Sequence, residues 1–459
     1  VVRISGPECL AIVRRLARTP PPNPLRNGGG RCSAGETRAE NQRFAPRTAV
    51  YCTLSRPNTQ EHLDSCVVTY FQSPASYTGE DVVEIACHGG ISVIRAVLDA
   101  VISSGARMAQ PGEFTKRAFL NGKIDLSQAE AVNDVIRSRS DSARKLALEQ
   151  LEGSLSAKVR KIDSRLLGIR AAIEAAIDFP DDVEPPDLGW IAEELATARS
   201  EIDGLVSSFG RGRIYREGLR MVIAGRVNVG KSSLMNALLD DARSIVTPIP
   251  GTTRDLIEES LQIRGIPLVA VDTAGIRSTD DPVEKMGVQL AEKSLKSADL
   301  VLWIFDATEG IAGKDVESLS LAGDAPVILV LNKVDLCPEE AVVRSYDYLC
   351  GLGRSFPVVR TSVSSGEGIT RLEDTIAEVA SATNLGEESV LVTNARHKNA
   401  LTDAAASLEH AKATLSELPL IDLLSVDLSA ASGALGLITG ETASDDLLDR
   451  IFSEFCIGK

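Results

Sequence analysis

Apolar positions fall into three textures along the chain. Over residues 1–120, short apolar runs such as Cys66–Phe71 and Val82–Cys87 alternate with loops rich in glycine and proline. One helical pattern, Ile91–Ile102 closed by Gly105, stands among them, giving an α+β texture. Pro20–Pro24 and Gly28–Gly30 sit in a polar stretch expected to form a surface loop. From Leu126 to Ile177 apolar residues recur at three and four, and only Gly153 and Gly168 interrupt a strongly helical composition. Ser127 and Glu130 have the spacing of a capping box at its start. Asp178-Phe179-Pro180 ends the run, and another helix is expected over about 188–209.

From 219 the period changes. Short β-branched runs at Leu219–Ala224, Pro267–Val271, Leu300–Asp306, Val327–Leu331 and Pro357–Val359 read as strands. Amphipathic helices are expected between and after them, at about 231–239, 283–297, 313–321, 338–349 and 367–380. Strand and helix in alternation predict a doubly wound, mostly parallel sheet. From about 396 the pattern is helical to the end. The economical division is an N-terminal α+β domain (1–120), a helical domain in two parts (121–218 and 381–459), and an α/β domain (219–380) inserted between those parts.

Composition narrows the class. With 459 residues, the length suits about three domains at roughly 150 residues each. Lys+Arg 49 against Asp+Glu 64 gives a formal charge of −15, which argues against a protein that merely coats nucleic acid. Apolar runs such as Val301–Phe305 fall far short of the roughly 18 residues of a membrane helix, so no membrane association is expected. The eight cysteines include no C-x-x-C pair, so a cytoplasmic, reduced protein is expected. Val1-Val2-Arg3-Ile4 reads like the interior of a strand, and residues are expected to precede it.

The candidate chemistry is phosphate chemistry. Gly225-Arg226-Val227-Asn228-Val229-Gly230-Lys231-Ser232 fits G-x-x-x-x-G-K-[ST], after an expected strand and before an expected helix. Such a loop curls its N–H groups around phosphate oxygens, with Lys231 reaching the β- and γ-phosphates and Ser232 holding Mg²⁺. Asp272-Thr273-Ala274-Gly275 ends a strand, where Asp272 can bind Mg²⁺ through water and the Gly275 N–H can meet the γ-phosphate. Asn332-Lys333-Val334-Asp335 ends another strand, and its carboxylate can accept the N1–H and 2-amino donors of guanine, which adenine lacks. Gly251-Thr252-Thr253-Arg254-Asp255 lies where a switch loop belongs, with Thr253 as second Mg²⁺ ligand. Ser362-Val363-Ser364 would line the base pocket. Ile276 stands where many small GTPases carry a water-orienting glutamine, so Asp280, Asp281 and Glu284 are each candidates for that work.

Together with Phe455-Cys456-Ile457-Gly458-Lys459, Pro111-Gly112-Glu113-Phe114, Arg117–Asn121, Tyr77-Thr78-Gly79-Glu80-Asp81, His88-Gly89-Gly90 and Asp178-Phe179-Pro180, the chain resembles the MnmE (TrmE) family of tRNA modification GTPases. The resemblance implies a folate-binding and dimerising N-terminal domain and a Ras-like P-loop GTPase domain inserted in a helical one. It implies a homodimer working with the flavoprotein MnmG on the C5 position of the wobble uridine (U34) of tRNA, adding aminomethyl or carboxymethylaminomethyl groups. The one-carbon unit would come from 5-formyltetrahydrofolate or a related folate. Hydrolysis would be activated by K⁺-dependent dimerisation of the G domains, with Asn228, Thr247, Ile249 and Thr252 around K⁺ and Glu284 as the water-orienting residue.

Motif and resemblance together imply nucleotide contacts from Asn228, Val229, Gly230, Lys231, Ser232 and Ser233. They imply others from Thr247, Pro248, Ile249, Pro250, Gly251, Thr252 and Thr253, from Asp272, Thr273, Ala274 and Gly275, and from Asn332, Lys333, Asp335, Ser362, Val363 and Ser364. The folate positions implied are Arg3, Glu84, Lys123 and Lys459, with Cys456 near the one-carbon chemistry. His88 is given no role. The GTPase motifs alone equally suit a GTP-switched assembly or binding factor, for example for ribosomes, without modification chemistry.

Overall fold

The computed structural model describes residues 1–18, 44–138, 140–241, 258–272, 294–311, 313–352, 356–382, 390–417 and 421–458. Contacts group the chain into two units, Val1–Asn133 with Thr439–Lys459, and Asp134–Ile438. The final segment from 439 thus falls with the first unit, where texture alone groups it with the rest of 381–459.

The first unit is built on an antiparallel sheet in the order β1-β5-β4-β3-β2. Its strands are β1 (Val2–Ser5), β2 (Ala17–Arg18), β3 (Ala49–Ser55), β4 (His62–Phe71) and β5 (Val82–Ala86). Period-two burial sets its faces: Asp64, Cys66, Val68 and Tyr70 of β4 all turn inward. The helices Cys9–Leu16 and Ile91–Ser103 cover that face with Ile12, Val13, Leu16, Val97, Ala100 and Val101. Cys52 and Cys66 oppose each other across β3 and β4, both buried, and none of the described cysteines is in a disulfide.

A second, smaller core joins the helices Glu113–Leu120 and Leu126–Arg137 to the C-terminal helix Asp445–Ser453 through Leu126, Ala129, Leu448, Phe452 and Phe455. Phe452 lies between Phe119 and Phe455, with ring centroids 6.4 and 5.4 Å away. Gly112, which starts the first of these helices at φ +66°, permits the approach: a Cβ there would lie 2.6 Å from the Phe452 carbonyl oxygen. The start of Leu126–Arg137 corrects the expected cap. Asp125 and Gln128, not Ser127 and Glu130, exchange the reciprocal bonds: Gln128 N donates to Asp125 Oδ1 and Asp125 N donates to Gln128 Oε1, each at 3.0 Å. The helix begins two residues earlier than the serine suggests, so Ser127 is already inside it and donates to Asp125 Oδ1.

The long helix expected from Leu126 to Ile177 is three. Leu126–Arg137 ends before Ser138, whose Oγ donates back to the Val135 carbonyl, and Ser140 caps Asp141–Leu151 by accepting from Ala143 N. Gly153 takes φ +93° and starts Ser154–Asp178, while Gly168 is absorbed inside that helix. The helices Ser154–Asp178, Leu188–Ser207, Ala395–Glu417 and Ile421–Thr439 share one core. Leu155, Val159, Ile162, Leu166, Ile169 and Ile173 alternate spacings of four and three, as do Ile191, Leu195, Ala198, Ile202 and Leu205, the pattern of a bundle seam.

The sheet of the second unit runs β11-β10-β9-β6-β8-β7. Its strands are β6 (Leu219–Gly225), β7 (Glu258–Ile263), β8 (Ile266–Asp272), β9 (Leu300–Asp306), β10 (Val327–Asn332) and β11 (Val358–Arg360). All pairs are parallel except β7 with β8. Every residue of β9 and β10 is buried, because separate cores cover the two faces. The edge strand β7 was not expected from the sequence; it returns on β8 through Arg264 and Gly265 at φ +49° and +84°, a two-residue hairpin turn. The expected helix at 313–321 is a short α-helix, Gly313–Glu317, continued as 3₁₀ over Ser318–Ala322. Among the described residues no helix is long and apolar enough to cross a membrane.

Gly112 and Gly122 share φ +66°, but nothing lies within 4 Å of a Cβ on Gly122. Gly122→Ala should therefore cost only the left-handed backbone penalty, about 1 kcal/mol, and Gly112→Ala about 1–2 kcal/mol more because the clash is with backbone. Hydrogen-exchange protection of the helices Glu113–Leu120 and Asp445–Ser453 in each variant measures the difference. Equal losses would show that the close approach at Gly112 contributes nothing.

Candidate functional site

The strand order reverses beside β6, whose neighbours are β8 and β9, and ligands of open parallel sheets bind at such a point, at the carboxyl ends of the strands. The loop from β6 into the helix Lys231–Asp241 lies there. Its curl needs Gly225 at φ +145°, Asn228 at +68° and Gly230 at +98°. A Cβ on Gly225 would lie 2.5 Å from the Ile304 carbonyl oxygen, and one on Gly230 would lie 2.5 Å from Asn332 Nδ2. The loop is thus seated against the ends of β9 and β10. Val229 anchors it by burying its side chain in the core. Lys231 is buried, and its Nζ donates to the carbonyls of Gly225 and Arg226 at 3.1 and 2.7 Å. Its ammonium therefore sits inside the loop that phosphate oxygens would enter. Ser232 and Ser233 follow, exposed, in the first helical turn.

The turn after β10 closes on the same loop. Asn332 is buried; its Nδ2 donates to the Val229 carbonyl at 2.9 Å and its Oδ1 accepts from Thr361 Oγ1 at 3.2 Å. Lys333, left-handed at φ +63°, sends Nζ to the Asn228 carbonyl at 2.8 Å and to Asp306 Oδ2 at 2.6 Å. Asp335 is exposed and accepts from Ser364 Oγ at 2.8 Å, and Ser362 Oγ lies 3.0 Å from Ser364 Oγ. Hydrogen bonds from Ser362 and Ser364 hold the Asp335 carboxyl below the usual range, so near neutral pH it is an acceptor that a pair of N–H donors can meet. Val363 is half-buried against the core, so Ser362 and Ser364 are presented on a fixed turn.

The expected residues Asn228, Val229, Gly230, Lys231, Asn332, Lys333, Asp335, Ser362, Val363 and Ser364 therefore converge at one edge. Asp272 is the last residue of β8, paired with Ile223 of β6, which places its backbone at the same edge. Thr247, Pro248, Ile249, Pro250, Gly251, Thr252, Thr253, Arg254, Thr273, Ala274, Gly275, Asp280, Asp281 and Glu284 lie outside the described residues, as does Lys459. One participant escapes the sequence reading: Asp306, an acidic residue ending an otherwise apolar strand, with Thr308 two residues on. Burial pushes its carboxyl up, but hydrogen bonds from Lys333 and Thr308 outweigh this and hold it below the usual carboxylate range.

In the first unit a cavity of about 590 Å³ is lined by Arg3, Met108, Phe114, Arg117, Ile457 and Gly458, among others. Arg3 stands opposite Glu84 in the β1–β5 register and bonds its Oε1 at 2.6–2.8 Å, with the guanidinium 5.8 Å from the Phe114 ring centroid and 6.0 Å from that of Tyr77. Glu84, Lys123 and Cys456 are not among the lining residues. Lys123 Nζ donates to the Pro74 carbonyl at 3.1 Å, and the Cys456 carbonyl accepts from Gly112 N. Arg117 bridges Glu80 and Glu113 at 2.8 and 2.7 Å, and Arg107 holds the Glu113 carboxyl down at about 2. His88 Nδ1 lies 2.7 Å from Asp64 Oδ1. The sequence reading leaves these ion pairs unassigned: Arg117–Glu80 and His88–Asp64 join residues 37 and 24 positions apart, which no local spacing links.

Comparison with known proteins adds the following. The family described as the MnmE helical domain matches residues 126–456, and that described as the GTP-binding protein TrmE N-terminus matches residues 1–123. The tRNA modification GTPase MnmE of Desulforamulus reducens is 41% identical over 100% of this chain and 96% of its own length. That of Acetivibrio thermocellus is 42% identical over the same shares. Among solved structures, the G domain of the T. maritima FeoB iron transporter is similar, at 28% identity over 35% of this chain and 98% of that one, with a TM-score of 0.28. On full-length relatedness and both family matches, the chain is a GTP hydrolase and belongs to the MnmE (TrmE) family of tRNA modification GTPases.

Proposed function

We propose that the chain is the GTP-hydrolysing component of a cytoplasmic wobble-uridine modification system. It acts as a homodimer with a flavoprotein partner, MnmG, to add aminomethyl or carboxymethylaminomethyl groups at C5 of U34. The observation that carries this is the convergence of the Gly225–Lys231 loop, Asn332-Lys333, Asp335 and Ser362–Ser364 at one sheet edge, in a chain related over its whole length to MnmE proteins. The organisation proposed is a folate-binding and dimerising domain (1–120), a helical domain in two parts (121–218 and 381–459) and a G domain (219–380).

In this reading Lys231 and the loop N–H groups hold the phosphates, and Asp335 selects guanine because adenine would leave its carboxylate unmatched. Ser232 and Thr253 hold Mg²⁺, with Asp272 acting through water. Mg²⁺ neutralises charge on the phosphate oxygens. Asn228, with Thr247, Ile249 and Thr252, holds K⁺ where an arginine finger stands in other GTPases, and Glu284 orients water through a bridging molecule. Arg3, Glu84, Lys123 and Lys459 hold a folate such as 5-formyltetrahydrofolate, near Cys456. For Arg3 the cavity supports this, because a guanidinium beside the Phe114 ring can meet a carboxylate or a flat ring; Glu84 and Lys123 do not line that cavity.

Nucleoside analysis of tRNA from cells lacking the protein should show unmodified C5 at the wobble uridine; intact modification would reject the reading in favour of a GTP-switched assembly factor. GTP turnover should be at least about tenfold faster in K⁺ than in Na⁺ at equal ionic strength, because the smaller ion fits a K⁺ shell poorly. Equal rates would remove K⁺ from the mechanism. Glu284→Ala should keep GDP affinity within about twofold while turnover falls by about two orders of magnitude. If turnover is unchanged, the role moves to Asp280 or Asp281.

A further inference from the structure

Asp306 belongs to no phosphate-binding motif, yet it is tied to the loop that does the binding. Its Oδ1 accepts from Thr308 N at 2.8 Å and Thr308 Oγ1 at 2.6 Å, and its Oδ2 accepts from Lys333 Nζ at 2.6 Å. Lys333 passes the constraint on by donating to the Asn228 carbonyl at 2.8 Å. Asn228 is the non-glycine residue of that loop held at positive φ, +68°. Asparagine adopts a left-handed backbone more readily than most non-glycine residues, and a neighbour that bonds its carbonyl holds it there. The Asp306 side chain is 4% exposed and that of Lys333 31%, so the fixed end of the strap is the carboxylate. A charge-assisted bond from a buried acid holds its lysine more firmly than a neutral acceptor would.

We propose that Asp306 is a positioning residue that sets the backbone of Asn228 through Lys333, and thereby tunes how readily the loop accepts the activating cation. The inference rests on the reading above that the Asn228 side chain contributes to the K⁺ site. An asparagine at 306 retains the shape but turns one acceptor into a donor. Its amide would then face either the Lys333 ammonium or the Thr308 N–H, and the strap loosens. Thr308→Val weakens the other end without touching any charge.

The test is GTP turnover of the full chain as a function of K⁺ at fixed ionic strength, beside GDP affinity and the melting temperature. Asp306→Asn should raise the half-activating K⁺ concentration by about fivefold or more, while GDP affinity changes by less than that factor. Thr308→Val should shift it in the same direction by about twofold, and it carries the test if Asp306→Asn does not fold. Loss of GDP affinity or melting temperature with unchanged half-activation in both variants would make Asp306 a merely structural residue and overturn the proposal. If the unsubstituted protein shows no K⁺ dependence, the Asn228 reading itself fails and this inference falls with it. K⁺ dependence in that protein with no shift in either variant rejects the inference alone.

Discussion

The nucleotide edge depends on one close approach. Gly230 lies so near Asn332 that a Cβ would fall 2.5 Å from its amide nitrogen, and that same amide donates to the Val229 carbonyl. A buried amide is expensive to leave unpaired, so the two turns hold each other: the loop satisfies Asn332, and Asn332 fixes the loop. Thr361 accommodates the remaining Asn332 oxygen, which brings the turn after β11 into the same network. The Gly225–Lys231 loop, the turns at Asn332 and Thr361 and the Asp306 strap are therefore parts of one hydrogen-bonded unit. It cannot be assembled from any single segment, because the contributing residues lie more than a hundred positions apart.

Two periodicities carry that unit. The parallel strands β9 and β10 are apolar throughout because both faces are covered, and their carboxyl ends hold the polar residues. The helical core uses the other period, with spacings of four and three along Ser154–Asp178 and Leu188–Ser207. Ala198 of Leu188–Ser207, Ala404 and Ala411 of Ala395–Glu417 and Ala431 of Ile421–Thr439 are buried in the same core, where small side chains take little room between helices. The segment that leads into Ala395–Glu417 is packed closely as well: a Cβ on Gly212, in the helix Phe209–Glu217, would collide with the Val392 carbonyl oxygen.

These periods explain what the sequence made legible. Leu219–Gly225, Leu300–Asp306 and Val327–Asn332 are long apolar runs with clear ends, and their expected limits hold to within a residue. The strand β7 has no such signature. As an edge strand it follows a mixed pattern, and the turn that creates it uses Arg264 where an asparagine would have been recognisable. The cap at Asp125 and Gln128 was missed for a similar reason: two overlapping pairs at the right spacing compete, and geometry alone decides between them. Within the nucleotide edge, the motif residues were legible because their spacing is local. Asp306 was not, because its significance lies in Lys333, which follows it by 27 positions.

Net charge is the least informative feature of this edge. A formal −15 would suggest repulsion of a phosphate ligand, yet screening confines surface charges to about 8 Å at physiological ionic strength. The charged groups at this edge are themselves fixed by hydrogen bonds of 2.6–3.1 Å. In the proposed phosphate site, the buried Lys231 ammonium and the N–H groups at a helix start would outweigh distant carboxylates. Asp306 adds negative charge to this very site, but it does so behind Lys333 and in contact with it, so the pair presents little net field to an entering phosphate. What the acid supplies is direction for the lysine. That is why a carboxylate can be tolerated beside a phosphate-binding loop, and why its loss should be felt in the loop's conformation before it is felt in nucleotide attraction.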